Sequence, residues 1–210
     1  MTKKEIALAA IEALKTRYPD AVCSLSYDRP YELVMATRLS AQCTDARVNI
    51  VTDVLFKRFT SLEDFANADL AEMEELVHPC GFYHHKAKDL IGMAQMMLDT
   101  FDGKVPDTME DLLKLPGVGR KTANLVLGDV YHKPSYVADT HCIRITNRLG
   151  LTDSKDPQKV EMQLRKLLPP EESGDFCHRL VLFGRDVCSA RKALCDQCPL
   201  ADVCRKKGVK

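Results

Sequence analysis

Ten residues near the middle of the chain, Leu115-Pro116-Gly117-Val118-Gly119-Arg120-Lys121-Thr122-Ala123-Asn124, constrain its architecture more than any other stretch. Just ahead, Asp107-Thr108-Met109-Glu110 has the make-up of a capped helix start, where Asp107 or Thr108 accepts a backbone N–H. Leu112, Leu113 and Leu115 carry that helix forward until Pro116-Gly117 stops it. Two glycines around one apolar residue allow positive φ and a close approach of the backbone to a partner. Ala123, Val126, Leu127 and Val130 then share one face of a second helix. The predicted unit is helix, tight hairpin, helix.

The first amides of the second helix lack intrahelical acceptors and lie at the positive end of its dipole, which suits them to phosphate. Two other glycine motifs are excluded. A P-loop needs Gly directly before the lysine, where Arg120 stands, and a dinucleotide fingerprint needs a third Gly where Thr122 stands. An ordinary helix–helix turn has the same glycine pattern, so the backbone alone does not decide. Lys121 adds a second signal. A cation is disfavoured in a first helical turn, and the dipole, Arg120 and an expected partial desolvation all favour its neutral amine. A free lysine, with a pKa near ~10.4, is neutral about once in a thousand at pH 7. Anything that raises that fraction makes it a better nucleophile. A lysine touching phosphate only as a point charge is the alternative.

With 210 residues the chain can bury one sizeable core or two small ones. No apolar run reaches the ~18 residues needed to cross a bilayer. Met1-Thr2-Lys3-Lys4-Glu5 opens a polar-faced helix with no apolar leader core. The expectation is a soluble cytoplasmic monomer with no membrane association. Net charge is zero, so bulk charge gives no sign of a polyanionic partner. From Arg191 onward, however, six Lys/Arg face two acids, a modest pointer to phosphate.

Helical periodicity runs through nearly the whole chain. Thr2 and Glu5 form a capping box, followed by an apolar stripe that ends at Tyr18-Pro19. Asp28 and Pro30 open a helix to Leu39, and Ser40-Ala41-Gln42-Cys43-Thr44-Asp45 is a polar break before the next, which ends near Phe59. Ser61 and Asn67 are the expected caps of two short helices. His78-Pro79-Cys80-Gly81-Phe82-Tyr83 is a second break, before a helix ending near Phe101. Beyond the hairpin, helices are predicted from Asp139 to Leu149, from Asp156-Pro157 to Pro169-Pro170, and from Phe176 to Asp186. No alternating strand pair and no internal repeat is visible. The fold class is all-α.

Cys188, Cys195, Cys198 and Cys204 end the chain in a C-x6-C-x2-C-x5-C pattern. In a reducing compartment four such thiols signal a metal site more than disulfides. Structural zinc more often shows two C-x-x-C knuckles, whereas all-Cys ligation also suits a [4Fe–4S] cluster; both stay open on spacing. Arg191 and Lys192 lie in the first loop of the pattern. Cys23, Cys43, Cys80, Cys142 and Cys177 sit among apolar helical positions and are expected to be small buried hydrophobes.

Taken together, Leu115–Ala123, Val137-Ala138-Asp139-Thr140-His141 and the cysteine tail resemble the endonuclease III family of helix-hairpin-helix DNA glycosylases, over nearly the whole chain. The resemblance implies two helical domains flanking a DNA-binding cleft: a six-helix barrel at 23–133, and 1–22 with 134–210 around a [4Fe–4S] cluster. It implies a bifunctional glycosylase and abasic-site lyase acting on duplex DNA with oxidised pyrimidines or abasic sites. Lys121 would be the nucleophile and Asp139 its carboxylate partner, although an Asp before Thr140 is equally a helix cap. Gln42 would fill the gap left by an extruded nucleotide and Phe82 would wedge beside the widowed base, unless Phe82 is a core aromatic. Gly117, Val118, Gly119 and Arg120, with His141, Arg191 and Lys192, complete the expected DNA contacts. A mismatch-specific glycosylase of the same superfamily and a catalytically silent DNA-binding module are the rival readings.

Overall fold

The computed structural model describes Met1–Val209; Lys210, the last cation of the basic tail, lies outside the described residues. In chain order the helices are α1 (Lys3–Arg17), α2 (Pro30–Leu39), α3 (Asp45–Arg58), α4 (Leu62–Ala66), α5 (Leu70–Val77) and α6 (Tyr83–Thr100). They continue with α7 (Met109–Leu112), α8 (Arg120–Asp129), α9 (Thr140–Leu149), α10 (Pro157–Leu164) and α11 (Ser173–Asp186). Among the described residues the only β pairing is an isolated bridge between Cys188 and Ala193. The all-α class holds.

Most helix starts are chemically explicit. Thr2 and Glu5 exchange backbone bonds at 3.2 and 2.8 Å, the expected capping box. At α2 the acceptor is Glu32, whose carboxylate takes the amides of Asp28 and Arg29 at 2.7 and 3.0 Å. Asn67 closes α4 instead of opening α5, which is capped by Asp69. An Asx residue can serve at either end of a helix, and here Asp69 has the oxygen in reach of the Glu72 amide, 3.0 Å away. Helix α11 begins three residues before Phe176, because a 3-10 turn at Pro170–Glu172 feeds straight into it.

The chain forms two compact units: Ser24–Tyr131, and Met1–Cys23 with the segment from His132 onward. In the second, the apolar stripe of α1 (Ile6, Ala10, Leu14) shares one core with Ile145, Leu149, Phe176, Leu180 and Phe183 of α9 and α11. In the first, α6 is the central helix, packed against α2, α4 and α5, and burying Ala87, Leu90, Met93, Ala94 and Met97. Helix α8 packs on α2. That seats the hairpin on another helix of its own unit.

The hairpin itself is shorter than its sequence suggested, since α7 is a single turn capped by Thr108, 3.1 Å from the Asp111 amide. Only one of its glycines is needed for conformation. Gly117 has φ +69°, and a Cβ there would come within 2.6 Å of Arg38 Cδ and Asp89 Oδ2. Gly119 has φ −103°, open to any residue, and a Cβ there would meet nothing within 4 Å. The fold therefore demands Gly117 and leaves Gly119 to another purpose. Gly117→Ala adds a left-handed penalty to an overpacked contact, and should lower unfolding free energy by about 2–5 kcal/mol in chemical denaturation. Gly119→Ala, losing only a favourable cap residue, should cost no more than ~1 kcal/mol.

Candidate nucleic-acid interface and thiol cavity

Lys121 lies in the first turn of α8, as the sequence predicts, but its side chain is exposed, so the partial desolvation expected of it is absent. The first intrahelical bond runs from the Ala123 amide to Gly119 O at 2.9 Å, so the Lys121 and Thr122 amides have no acceptor within the helix. Gly119 caps the helix without a side chain, and Arg120 is half-buried beside it. Val118 has a different part. Its amide bonds to Leu115 O at 3.1 Å and its side chain is buried, so it anchors the hairpin and offers no donor outward.

Two further exposed residues in the same unit sit on strained backbone. Gln42 has φ 57° and Phe82 φ 49°, the left-handed region that non-glycine residues seldom occupy. Phe82 is 64% exposed, which rules out a core role for it. A large aromatic held in water by an unfavourable backbone is a feature that folding alone does not explain.

In the other unit, Asp139 caps α9, with Oδ1 accepting the Cys142 amide at 2.7 Å. One oxygen serves the helix, and the cap does not require the second. His141, two residues on, is half-buried and lies 3.1 Å from an Arg144 nitrogen, packed where α11 passes at Gly184.

The four C-terminal cysteines line one small cavity of about 20 Å³, walled otherwise mainly by apolar side chains such as Ile145, Leu149, Phe183 and Leu200. Polar hydrogens point at the sulfurs. The Leu200 and Lys206 amides lie 3.4 and 3.3 Å from the Cys198 and Cys204 sulfurs. Buried Arg148 donates to Cys188 Sγ at 3.2 Å and to Ser189 O at 2.8 Å, fastening the loop that carries exposed Arg191 and Lys192. Among the described residues no three His, Cys, Asp or Glu side chains converge closely enough to hold one metal ion.

The other cysteines are only partly as expected. Cys80, Cys142 and Cys177 are buried, but Cys23 and Cys43 are half-exposed. Cys80 hydrogen-bonds with Cys43, and burial pushes its thiol up to about 11. Cys142 pairs likewise with Cys177, and this bond together with burial holds its thiol well above the ordinary value.

Residues 35–170 match the model of the HhH-GPD superfamily of base excision DNA repair proteins. The endonuclease III of Synechocystis is 47% identical over 97% of this chain and 93% of its own. A solved non-covalent endonuclease III–DNA complex is 39% identical, with a TM-score of 0.92 over 98% of this chain and 96% of that one. A trapped covalent endonuclease III–DNA intermediate is also 39% identical, with a TM-score of 0.91 over 98% and 97%. The chain belongs to the endonuclease III family.

Two residues of this endonuclease III family member escaped sequence reasoning because each is a cation hidden inside the protein. Arg148 reads as an ordinary cation near a helix end, yet it is 9% exposed. Lys86 reads as the polar face of α6, yet it is fully buried and its ammonium donates to Leu39 O, Ala41 O and Cys80 O at 2.8, 2.8 and 2.9 Å. Burial presses its pKa below the ordinary lysine value, while the Cys80 and Cys43 thiols push it the other way. Only the break-forming sequences around Gln42 and Phe82, which need something to hold their carbonyls, could have hinted at it.

Because Asp139 is a cap, its substitutions separate two effects. Asp139→Ala should lower stability by about 0.5–2 kcal/mol, whereas Asp139→Asn, a comparable cap, should leave it nearly unchanged. Thermal unfolding of the two variants checks this.

Proposed function

We propose that Lys121 is the nucleophile, and Asp139 the carboxylate partner, of a bifunctional DNA glycosylase and abasic-site lyase acting on oxidised pyrimidines in duplex DNA. The observation that carries this is the near-complete match to an endonuclease III trapped covalently on DNA. A covalent intermediate requires a nucleophile, and Lys121 is an exposed amine in the first turn of the hairpin's second helix. Neither a mismatch-specific nor a silent relative is favoured by matches of this identity and coverage to endonuclease III proteins. The setting is the bacterial cytoplasm.

The hairpin binds a phosphate through the Lys121 and Thr122 amides, and Gly119, with open space where a Cβ would be, lets the DNA backbone come close. Exposed Arg191 and Lys192 add cationic contacts, and His141 lines the approach near Asp139. The lesion is turned out of the stack; Gln42 fills the gap and Phe82 wedges beside the widowed base. Deprotonated Lys121 Nζ attacks C1′, the C1′–N glycosidic bond breaks, and the base leaves with the bonding electrons and takes a proton. The sugar ring opens to a Schiff base between Nζ and C1′. Loss of a C2′ proton then expels the 3′ phosphate, and hydrolysis returns the free amine. Asp139 accepts the lysine proton or steadies positive charge growing on the sugar.

Cys188, Cys195, Cys198 and Cys204 would hold a [4Fe–4S] cluster: the four residues line one largely apolar chamber, and three of their sulfurs meet an N–H donor. Four thiolates from Cys188, Cys195, Cys198 and Cys204 would tie the C-terminal segment to the bound cluster, and Arg191 and Lys192 would be fixed with it.

Borohydride should trap a covalent adduct between this protein and a thymine-glycol duplex. Lys121→Gln should abolish the adduct, and one that persists would falsify the assignment. Asp139→Asn should still bind DNA but turn over ~10²- to 10⁴-fold more slowly, the usual scale for an acid–base group. The purified protein should be brown and contain iron; colourless protein with one zinc per chain would exclude the cluster.

A further inference from the structure

The proposed reaction makes no use of Lys86. Its ammonium has three hydrogens and meets three carbonyl oxygens, so every donor is used and none is left for a ligand. The acceptors come from two separate breaks in the helical fold. Leu39 and Ala41 belong to the end of α2 and the turn after it, where helix carbonyls lack intrahelical donors. Cys80 ends the 3-10 turn at His78–Cys80.

Each set of acceptors stands immediately ahead of a strained residue. Gln42 comes directly after Ala41 and has φ 57°; Phe82 comes two residues after Cys80 and has φ 49°. Both side chains are exposed. Lys86 itself stands on the first turns of α6, and its own amide bonds to Phe82 O at 3.1 Å. One buried cation thus holds the backbone just before both strained, exposed residues. Neighbouring Cys43 and Cys80 hydrogen-bond across the same junction, which ties the two breaks together a second time.

We propose that Lys86 is a positioning residue that fixes the Gln42 and Phe82 loops to one another, so that they enter the DNA stack as a single rigid wedge. This rests on the reading of those two side chains as inserted groups. Pre-set geometry matters there because ordering two loops separately at the moment of binding would spend affinity on each. A loosened pair would still let the hairpin hold phosphate, and the loss would appear only where a base must be displaced.

The test uses the full-length protein, a duplex with a tetrahydrofuran abasic analogue opposite 2-aminopurine, and the same duplex undamaged. Lys86→Met should reduce the 2-aminopurine fluorescence rise at least fivefold and weaken lesion-duplex binding about tenfold, with undamaged-duplex affinity within twofold of the parent. Gln42→Ala and Phe82→Ala serve as comparators and should each lose the fluorescence rise. A parental signal in Lys86→Met, with both comparators impaired, overturns the inference and leaves the insertion reading standing. Parental signals in both comparators remove the insertion reading and the inference with it. Equal losses on lesion and undamaged duplex show a general defect and also overturn it. Should Lys86→Met not fold, amide exchange in the parent protein decides: residues 40–43 and 80–83 should gain protection together on adding lesion duplex, and a gain in one segment alone refutes the coupling.

Discussion

A glycine lying on an ion pair is the contact from which the hairpin's geometry derives. Arg38 of α2 and Asp89 of α6 meet at 2.6 Å, and Gly117 rests on them where no Cβ could fit. The pair is only partly exposed, so the attraction between its members is less screened than at an open surface. Three residues further along α6, Gly92 lies under Pro116, where an added Cβ would stand 3.3 Å from the proline ring. Helix α6 therefore sets the hairpin from below at two points, and through Lys86 it also sets the two breaks that carry Gln42 and Phe82. One eighteen-residue helix positions both the hairpin and the two strained breaks of this unit.

Elsewhere the fold and the proposed chemistry call on the same group. Asp139 caps α9 through an acceptor oxygen, and a carboxylate is also what the proposed partner to a cationic transition state would have to supply. The cap holds the side chain by one oxygen, which limits its rotation and so directs the other. In the proposed reaction the cap would double as an orienting device. That economy explains why sequence reasoning could not separate the two roles: both predict an Asp at the residue before Thr140.

The sequence made the helical class legible because stripes such as Ile6, Ala10 and Leu14 are unambiguous, and it made the hairpin legible because Pro116-Gly117 can do little else. Boundaries were less visible. Nothing in Asn67 says whether it closes one helix or opens the next, and the answer came from Asp69 lying nearer the following amides. The glycines misled in one respect, since only Gly117 takes positive φ and Gly119 is extended. Phe82 could be read as core or as wedge, because exposure is a tertiary property that one residue's neighbours in sequence do not carry. Lys86 was illegible for the reverse reason. A lysine on an amphipathic helix is assigned to water by default, and only three unsatisfied carbonyls from two distant turns can draw it inside.

The nine cysteines show how far environment outweighs composition. Cys142 and Cys177 face each other inside the core, and the first of them stays protonated there because its bond to the second and the burial both oppose an anion. Cys43 and Cys80 form a similar pair near the two breaks, again with burial favouring the neutral thiol. Such pairs act as small apolar groups with a weak polar bond between them. The terminal four differ in what surrounds them: N–H groups from Arg148, Leu200 and Lys206 are aimed at three of the sulfurs. Donors aimed at sulfur favour the thiolate, the form in which cysteine binds metal, but burial outweighs them and holds the Cys198 and Cys204 thiols above the ordinary value. It is this orientation of hydrogens, more than the crowding of cysteines at one end of the chain, that sets the terminal four apart from thiols that merely fill space.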